Sequence, residues 1–401
     1  MTSCSTRRLA GLSLAAALFA LTACGSAGTA ALTSASPTAQ TSASPAAQTS
    51  AGTAAQTSTS SAAQISALST SAAASSSGAE AATTTTGDEP IDAGALVVYN
   101  AQHENLTQAW ADEFSKANGI KVQIRNGSDL EMANQIVAEG SASPADVFIT
   151  ENSPGMNIVE QAGLFQAVDP ATIAQIPAKY SPSTGKWVGV AARSTVFVYN
   201  TSKVSAAQLP KSLMDLADPS WNGKWAASPS GADFQAIISA LYEIKGADAA
   251  KTWLTAMKRN AKVYKSNTTV MKAVNAGEVS GGIIYHYYWY GDQAKTKENS
   301  ANTKLHFFGN GDPGAFVSVS GAGVLASSKK QDMAQKFLKF LTSKAGQEIV
   351  ADHVLEYPLL DTRTQTNKAL APLAGLGAPT VDPAKLNSSN VVDLMTEVGL
   401  L

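Results

Sequence analysis

ALVVYNAQHENLTQAWADEFSKANGIKVQIRNGSDLEMANQIVAEGSASPADVFITEN, residues 95–152, is the stretch on which the fold class turns. ALVVY (95–99) and IKVQIR (120–125) read as strands, being short apolar runs rich in β-branched residues. Between them, ENLTQAWADEFSKANG carries apolar residues at helical spacing and closes on a glycine stop. A second helix, SDLEMANQIVAEG (128–140), opens on Ser128 and Glu131 in capping-box spacing, and ADVFIT (145–150) returns as a third strand. The order βαβαβ predicts a parallel sheet, because a helix that crosses over a sheet brings the next strand back in the same direction.

Outward from this unit, WVGVAARSTVFVYN (187–200) is a long apolar strand. Strand and helix patterns then alternate through GKWAAS, GADFQAIISALYEIKG, AKVYKS, TVMKAVNAGE and GGIIY, which predicts a second α/β lobe. A further long apolar strand, AFVSVSGAGVLAS (315–327), follows. Two long strands flanking the second lobe predict paired crossings, a hinge whose cleft closes on a ligand. In open parallel sheets, ligands sit beyond the carboxyl ends of the strands. His103 in NAQHEN, Glu151 in TEN, and Tyr287 and Tyr288 after GGIIY all fall at such ends. In SGGIIYHYYWYG (280–291) a strand would send adjacent tyrosines to opposite faces, so both reach one ligand only if the backbone turns between them.

The ends and the composition set bounds. Arg7 and Arg8 precede an apolar run from Leu9 to Ala23 that reads as an export signal, with the arginine pair suggesting the twin-arginine route. LTAC resembles a lipobox, which makes Cys24 the lipidated residue and residues 1–23 the signal peptide. Residues 24–90 are dominated by Ser, Thr, Ala and Gln, with Ala-Gln recurring at 39, 47, 55 and 63; such a segment buries too little apolar area to order itself and reads as a tether. The chain has only two cysteines, Cys4 in the signal and Cys24, so neither a disulfide framework nor a thiolate metal site is expected. With 29 Lys and Arg against 31 Asp and Glu, and no basic run, the footprint of a nucleic-acid binder is missing. The segment 95–401 exceeds the usual size of one core, which predicts two lobes. The expected boundaries are 95–190 for the first part of lobe 1, 191–317 for lobe 2, 318–370 for the return to lobe 1, and 371–401 for C-terminal helices packing on lobe 2.

VVYNAQHEN, ADVFITEN, RSTVFVYNTSKV, NGKWAASPSGADF, AVNAGEVSGGIIYHYYW, DPGAFVSVSGAGVLASS and VLEYPLL, in this order, resemble the ferric-ion-binding proteins of bacterial ABC iron importers. The resemblance covers residues 95–401 and implies a two-lobed type II periplasmic-binding-protein fold, α/β with two crossing hinge strands. It also implies iron(III) ligands at His103, Glu151, Tyr287 and Tyr288, and a synergistic anion, phosphate or carbonate, that completes the coordination. The anion positions it points to are Ser230, Gly231, Ala232, Asn267 and Asn152; Ser230 with Asp233 also spells a capping box. Tyr285 and Asn152 depart from the residues common in that family, which leaves the anion open.

The chemistry agrees with a hard trication, for which oxygen donors and imidazole are suited and sulfur is not. Two phenolates and one carboxylate supply three negative charges. HENLT has Thr107 where a zinc-protease motif needs its second histidine, and no G-x-S-x-G occurs, which argues against a tethered hydrolase. The expected protein is a monomeric, non-enzymatic iron(III) receptor, lipid-anchored outside the cytoplasm, that serves an ABC permease and its ATPase. The same fold binding a small organic anion, a phosphonate or carboxylate, is the alternative.

Overall fold

The computed structural model of the protein describes residues 90–360 and 370–401. The expected signal (1–23), the lipidated Cys24 and the tether as far as residue 89 lie outside the described residues. In chain order the first elements are β1 Leu96–Ala101, α1 Glu104–Asn118, β2 Val122–Asn126, α2 Asp129–Glu139, β3 Val147–Thr150, α3 Ser153–Gln161, the short α4 Pro170–Ile173, and β4 Val188–Asn200. They are followed by β5 Trp225–Ala227, α5 Ala232–Lys245, α6 Ala247–Asn260, β6 Ala261–Val263, α7 Asn267–Asn275, β7 Gly281–Tyr285, α8 His286–Lys295 and β8 Thr303–His306. Then come β9 Val317–Val324, α9 Gln331–Leu341, α10 Lys344–His353 and α11 Ser388–Glu397.

β1 is buried along its whole length and pairs in parallel with β2 on one side and β3 on the other. Its alternate residues feed two cores. Leu96 and Val98 join Trp110 and Phe114 of α1, while Val97 and Tyr99 join Met132 and Ile136 of α2. α1 stops where the sequence predicts: Gly119 takes φ 67 and returns its N–H to the carbonyl of Ser115, a conformation that suits glycine because it has no Cβ. The second half of the molecule repeats the plan. β7 pairs antiparallel with β4 and parallel with β5, and β5 pairs parallel with β6. Phe197 and Tyr285 face a core with Trp225 and Phe234, whereas Val196 and Ile284 face one with Val270 and Val274.

Two strands join these halves. The first part of β4 pairs antiparallel with β9, from Val188↔Ala322 to Ser194↔Val317, and its second part, from Thr195 onward, pairs with β7 and β8. β9 in turn pairs with β3. The path is β2-β1-β3-β9-β4-β7-β5-β6, with β8 also on β4. The parallel sheet read from the sequence is therefore mixed: strands separated by a crossing helix are parallel, while β4, β8 and β9 run against their neighbours. A register shift between Gly189 and Ala191 bends β4 within its pairing to β9.

Two local readings are corrected. Ser128 is the N-cap of α2, but its hydroxyl meets the Glu131 carboxylate at 3.4 Å rather than a backbone N–H. Gly231, not Ser230, is the N-cap of α5, and the Asp233 side chain faces inward instead of closing a capping box. Among the described residues, no helix is long and apolar enough to cross a membrane.

Candidate metal centre

The centre is built at strand ends. Asn100, buried at the end of β1, gives its amide N–H to the Gln102 carbonyl and the Asn126 side chain, and its Oδ1 accepts from the Gln102 N–H and the Thr107 hydroxyl. This ties off the turn that makes His103 the N-cap of α1. At the end of β3, the Asp129 carboxylate accepts the backbone N–H groups of Glu151 (2.7 Å) and Asn152 (3.0 Å), which fixes half-buried Glu151 just beyond the strand. β7 ends at Tyr285 and α8 begins at His286. The backbone thus turns one residue before Tyr287 rather than between the two tyrosines, and both phenols leave from the first turn of a helix with rings stacked at 4.3 Å.

The side chains converge from five segments. Tyr287 donates its hydroxyl to Glu151 Oε1 at 2.8 Å and lies 3.4 Å from Asp233 Oδ2. Tyr288 donates to the same Asp233 oxygen at 3.1 Å. His103 Nε2 is 3.8 Å from Glu151 Oε1 and 3.0 Å from Glu356 Oε1, and the His103 ring meets Tyr287 edge-on at 5.1 Å. All four residues expected to ligate iron are brought together.

Of the expected anion positions, Asn152 and Asn267 both give their amides to Asp233, at 3.0 and 2.8 Å, and the Tyr285 hydroxyl reaches Asn152 Oδ1 at 3.3 Å. Ser230 is exposed at the turn before α5, while Gly231 and Ala232 are half-buried at its start. The Asp233 carboxylate thus accepts from two of the expected anion positions, Asn152 and Asn267, and from the Tyr288 hydroxyl, with the Tyr287 hydroxyl 3.4 Å away.

A buried network stands behind the donors. Arg193, wholly buried in β4, donates through Nη2 to Glu356 Oε2 and to the Ser320 hydroxyl, both at 2.8 Å, and its Nε lies 3.8 Å from Glu151 Oε1. Gln102 Nε2 donates to Ser320 Oγ at 2.7 Å and to Glu356 Oε2 at 3.3 Å. Burial would raise the Glu356 carboxyl, but the Arg193 charge and the contact with His103 prevail and hold it down to about 2. Burial would likewise lower His103, yet Glu356 holds it up to about 9. Asp233 and Asp129 are pushed up to about 7 and about 8, first by burial and then by the nearby Glu151 charge. Burial and the Asp233 and Glu151 charges drive both phenols, Tyr287 and Tyr288, well above their ordinary range. A pocket in which acids crowd until protons are retained is one that a multivalent cation relieves.

Sequence reading missed Asp233, Asp129, Arg193 and Glu356. Arg193 had a usable signal: it is the only charged residue in the 187–200 apolar strand, and a charge buried there requires a partner. Asp233 had none, because an acidic residue in a helix's first turn is ordinary dipole complementation.

The chain matches the family described as bacterial extracellular solute-binding protein over residues 142–380. It is 61% identical over 307 residues to the Fe(3+)-binding periplasmic protein of Serratia marcescens, covering 76% of this chain and 90% of that one. It is 36% identical to the major ferric iron-binding protein of Neisseria meningitidis serogroup B, over 76% of this chain and 93% of the relative. Its fold matches the crystal structure of iron-bound HitA from Pseudomonas aeruginosa with a TM-score of 0.71 and 42% identity, covering 76% of this chain and 99% of that one.

Proposed function

The chain belongs to the ferric-iron-binding group of bacterial extracellular solute-binding proteins, and from that premise we propose that it captures iron(III) at the centre described above. It is a binding protein rather than an enzyme. The donors are His103, Glu151, Tyr287 and Tyr288, joined by Asp233 in the place of a solute anion. The observation that carries this reading is the run of contacts from Glu151 through Tyr287 to Asp233 and Tyr288, at 2.8, 3.4 and 3.1 Å, with His103 Nε2 3.8 Å from Glu151. Two phenolates and two carboxylates carry four negative charges, enough to balance the trication without phosphate or carbonate. The phenols lose their protons to the ion, since a bound cation stabilises the anionic form of its ligands. Delivery then runs to an ABC permease and its ATPase, with Cys24 carrying the lipid that holds the receptor at the outer face of the membrane.

Metal analysis and a visible spectrum of the purified protein test this. One iron per chain, a phenolate-to-iron absorption band, and no stoichiometric phosphate or carbonate are expected. In Asp233→Ala the band should fade in anion-free buffer and return when phosphate is added. A parent protein that takes up no iron would overturn the reading, and one that retains one phosphate or carbonate per iron would return the anion site to a solute.

A further inference from the structure

His286 lies beside the metal centre, next to Tyr287, without being one of its donors. It is fully buried, opens α8, and immediately precedes Tyr287. Its Nδ1 accepts the backbone N–H of Ser194 at 3.1 Å. Ser194 is where β4 changes partner: it is opposite Val317 of β9, whereas the next residue, Thr195, is opposite Tyr285 of β7. The other face of the connection is aromatic. The His286 ring stacks on Tyr357 at 4.5 Å and 15°, and meets Tyr287 edge-on at 6.2 Å. The Tyr357 backbone exchanges two hydrogen bonds with Ala192 of β4, at 2.8 and 2.9 Å, and the residue before it, Glu356, is the carboxylate that faces His103.

We propose that His286 is the positioning residue of the tyrosine pair, fixing the start of α8 to the crossing strand and to the Glu356–Tyr357 segment so that the phenols and His103 hold one geometry. The inference rests on the iron-binding reading above. Its physical basis is that two phenols leaving consecutive helical positions point about 100° apart, so a small rotation of the first turn brings one toward the ion only by withdrawing the other. The Nδ1 acceptor and the stacked ring together resist that rotation. Nδ1 is the more demanding contact, because a Ser194 N–H buried without an acceptor would favour moving the helix away.

Two variants separate the contacts. His286→Phe keeps a ring for Tyr357 and removes the acceptor; His286→Asn places an amide oxygen close to the Nδ1 position and removes the ring. Iron-loaded His286→Phe should release iron to excess EDTA roughly tenfold faster than the parent, with a displaced phenolate-to-iron band maximum. His286→Asn should keep the parent's band and stay close to its release rate. A band that moves in one variant and not the other is a readout that loss of stability alone would not produce. A parental band and release rate in His286→Phe, or an equal defect in both variants, would overturn the inference. Should His286→Phe fail to fold, nitrogen-15 NMR of the parent decides: Nδ1 must be the unprotonated, hydrogen-bonded nitrogen, and a protonated Nδ1 overturns it. A coloured parent with an unaffected His286→Phe removes the inference alone, whereas a parent that takes up no iron removes the reading beneath it as well.

Discussion

Tyr287 and Tyr288 are adjacent in sequence but differ in surroundings. Tyr287 is bonded to Glu151 and packed edge-on against His103, whereas Tyr288 touches Asp233 and the stacked ring of Tyr287. Replacing either with phenylalanine keeps the ring and removes the phenolate, so each variant should lose most of the visible band while the iron-free protein keeps nearly the parent's unfolding midpoint. A persistent band in both would show that the phenols are core residues. Glu356 behaves in the opposite way, since it stabilises the fold whether or not iron is bound. Glu356→Gln leaves the Arg193 charge buried without its counter-ion, which should destabilise the iron-free protein by about 3–5 kcal/mol in urea unfolding. An unchanged urea midpoint would mean that water or Glu151 balances Arg193 instead.

At the scale of elements, the crossing strand β4 is the part that tolerates least. It carries a register shift between Gly189 and Ala191 within its pairing to β9, and changes partner to β7 at Ser194 and Thr195. A side chain at Gly189 has no room: its Cβ would lie 2.0 Å from the Tyr180 carbonyl oxygen and 2.9 Å from a methyl of Val319. Backbone cannot swing aside as a side-chain tip can. Gly189→Ala should therefore lower stability by about 1–3 kcal/mol, read as a shifted urea midpoint, with the iron band of the surviving folded protein unmoved. A wild-type midpoint would show that the loop at Tyr180 gives way freely. The strand-to-helix junction at Tyr285 and His286 puts two neighbouring phenols on the first turn of α8, an outcome that continuing β7 through residues 285–288 would prevent by sending them to opposite faces.

The whole iron-free molecule should show opposing pH dependences. Glu356, held down to about 2, contributes stability that is complete above the ordinary carboxylate value and lost as pH falls through that range toward 2. His103, held up to about 9, contributes stability that is present below its ordinary value of 6.5 and lost as pH rises through about 9. Asp233 and Asp129, pushed up to about 7 and about 8, bind protons more tightly folded than unfolded, so ionising them destabilises the fold progressively as pH rises above 3.8, completely only beyond those values. Thermal unfolding of the iron-free protein should thus weaken from pH 6 to 9, the added stability from iron should grow over that span, and Asp233→Asn should flatten it. A melting temperature that rises through this window would contradict the crowded-acid description. Acid should empty the loaded site, because protons compete with iron at every donor; small-angle scattering should then report a larger particle, reversed on adding iron(III). The βαβαβ order of residues 95–150, the glycine stop of α1, the two long strands β4 and β9 and the nearness of His103, Glu151, Tyr287 and Tyr288 were legible in the sequence, because periodicity, punctuation and the placement of polar residues at strand ends are local properties. The assembly of Asp233 with Asn152, Asn267 and the tyrosines, and of Glu356 with Arg193 and His103, was decided by tertiary structure alone. Those partners lie tens to hundreds of residues apart, and a carboxylate's role depends on which donors face it in the folded chain, a property that its own sequence neighbours do not carry.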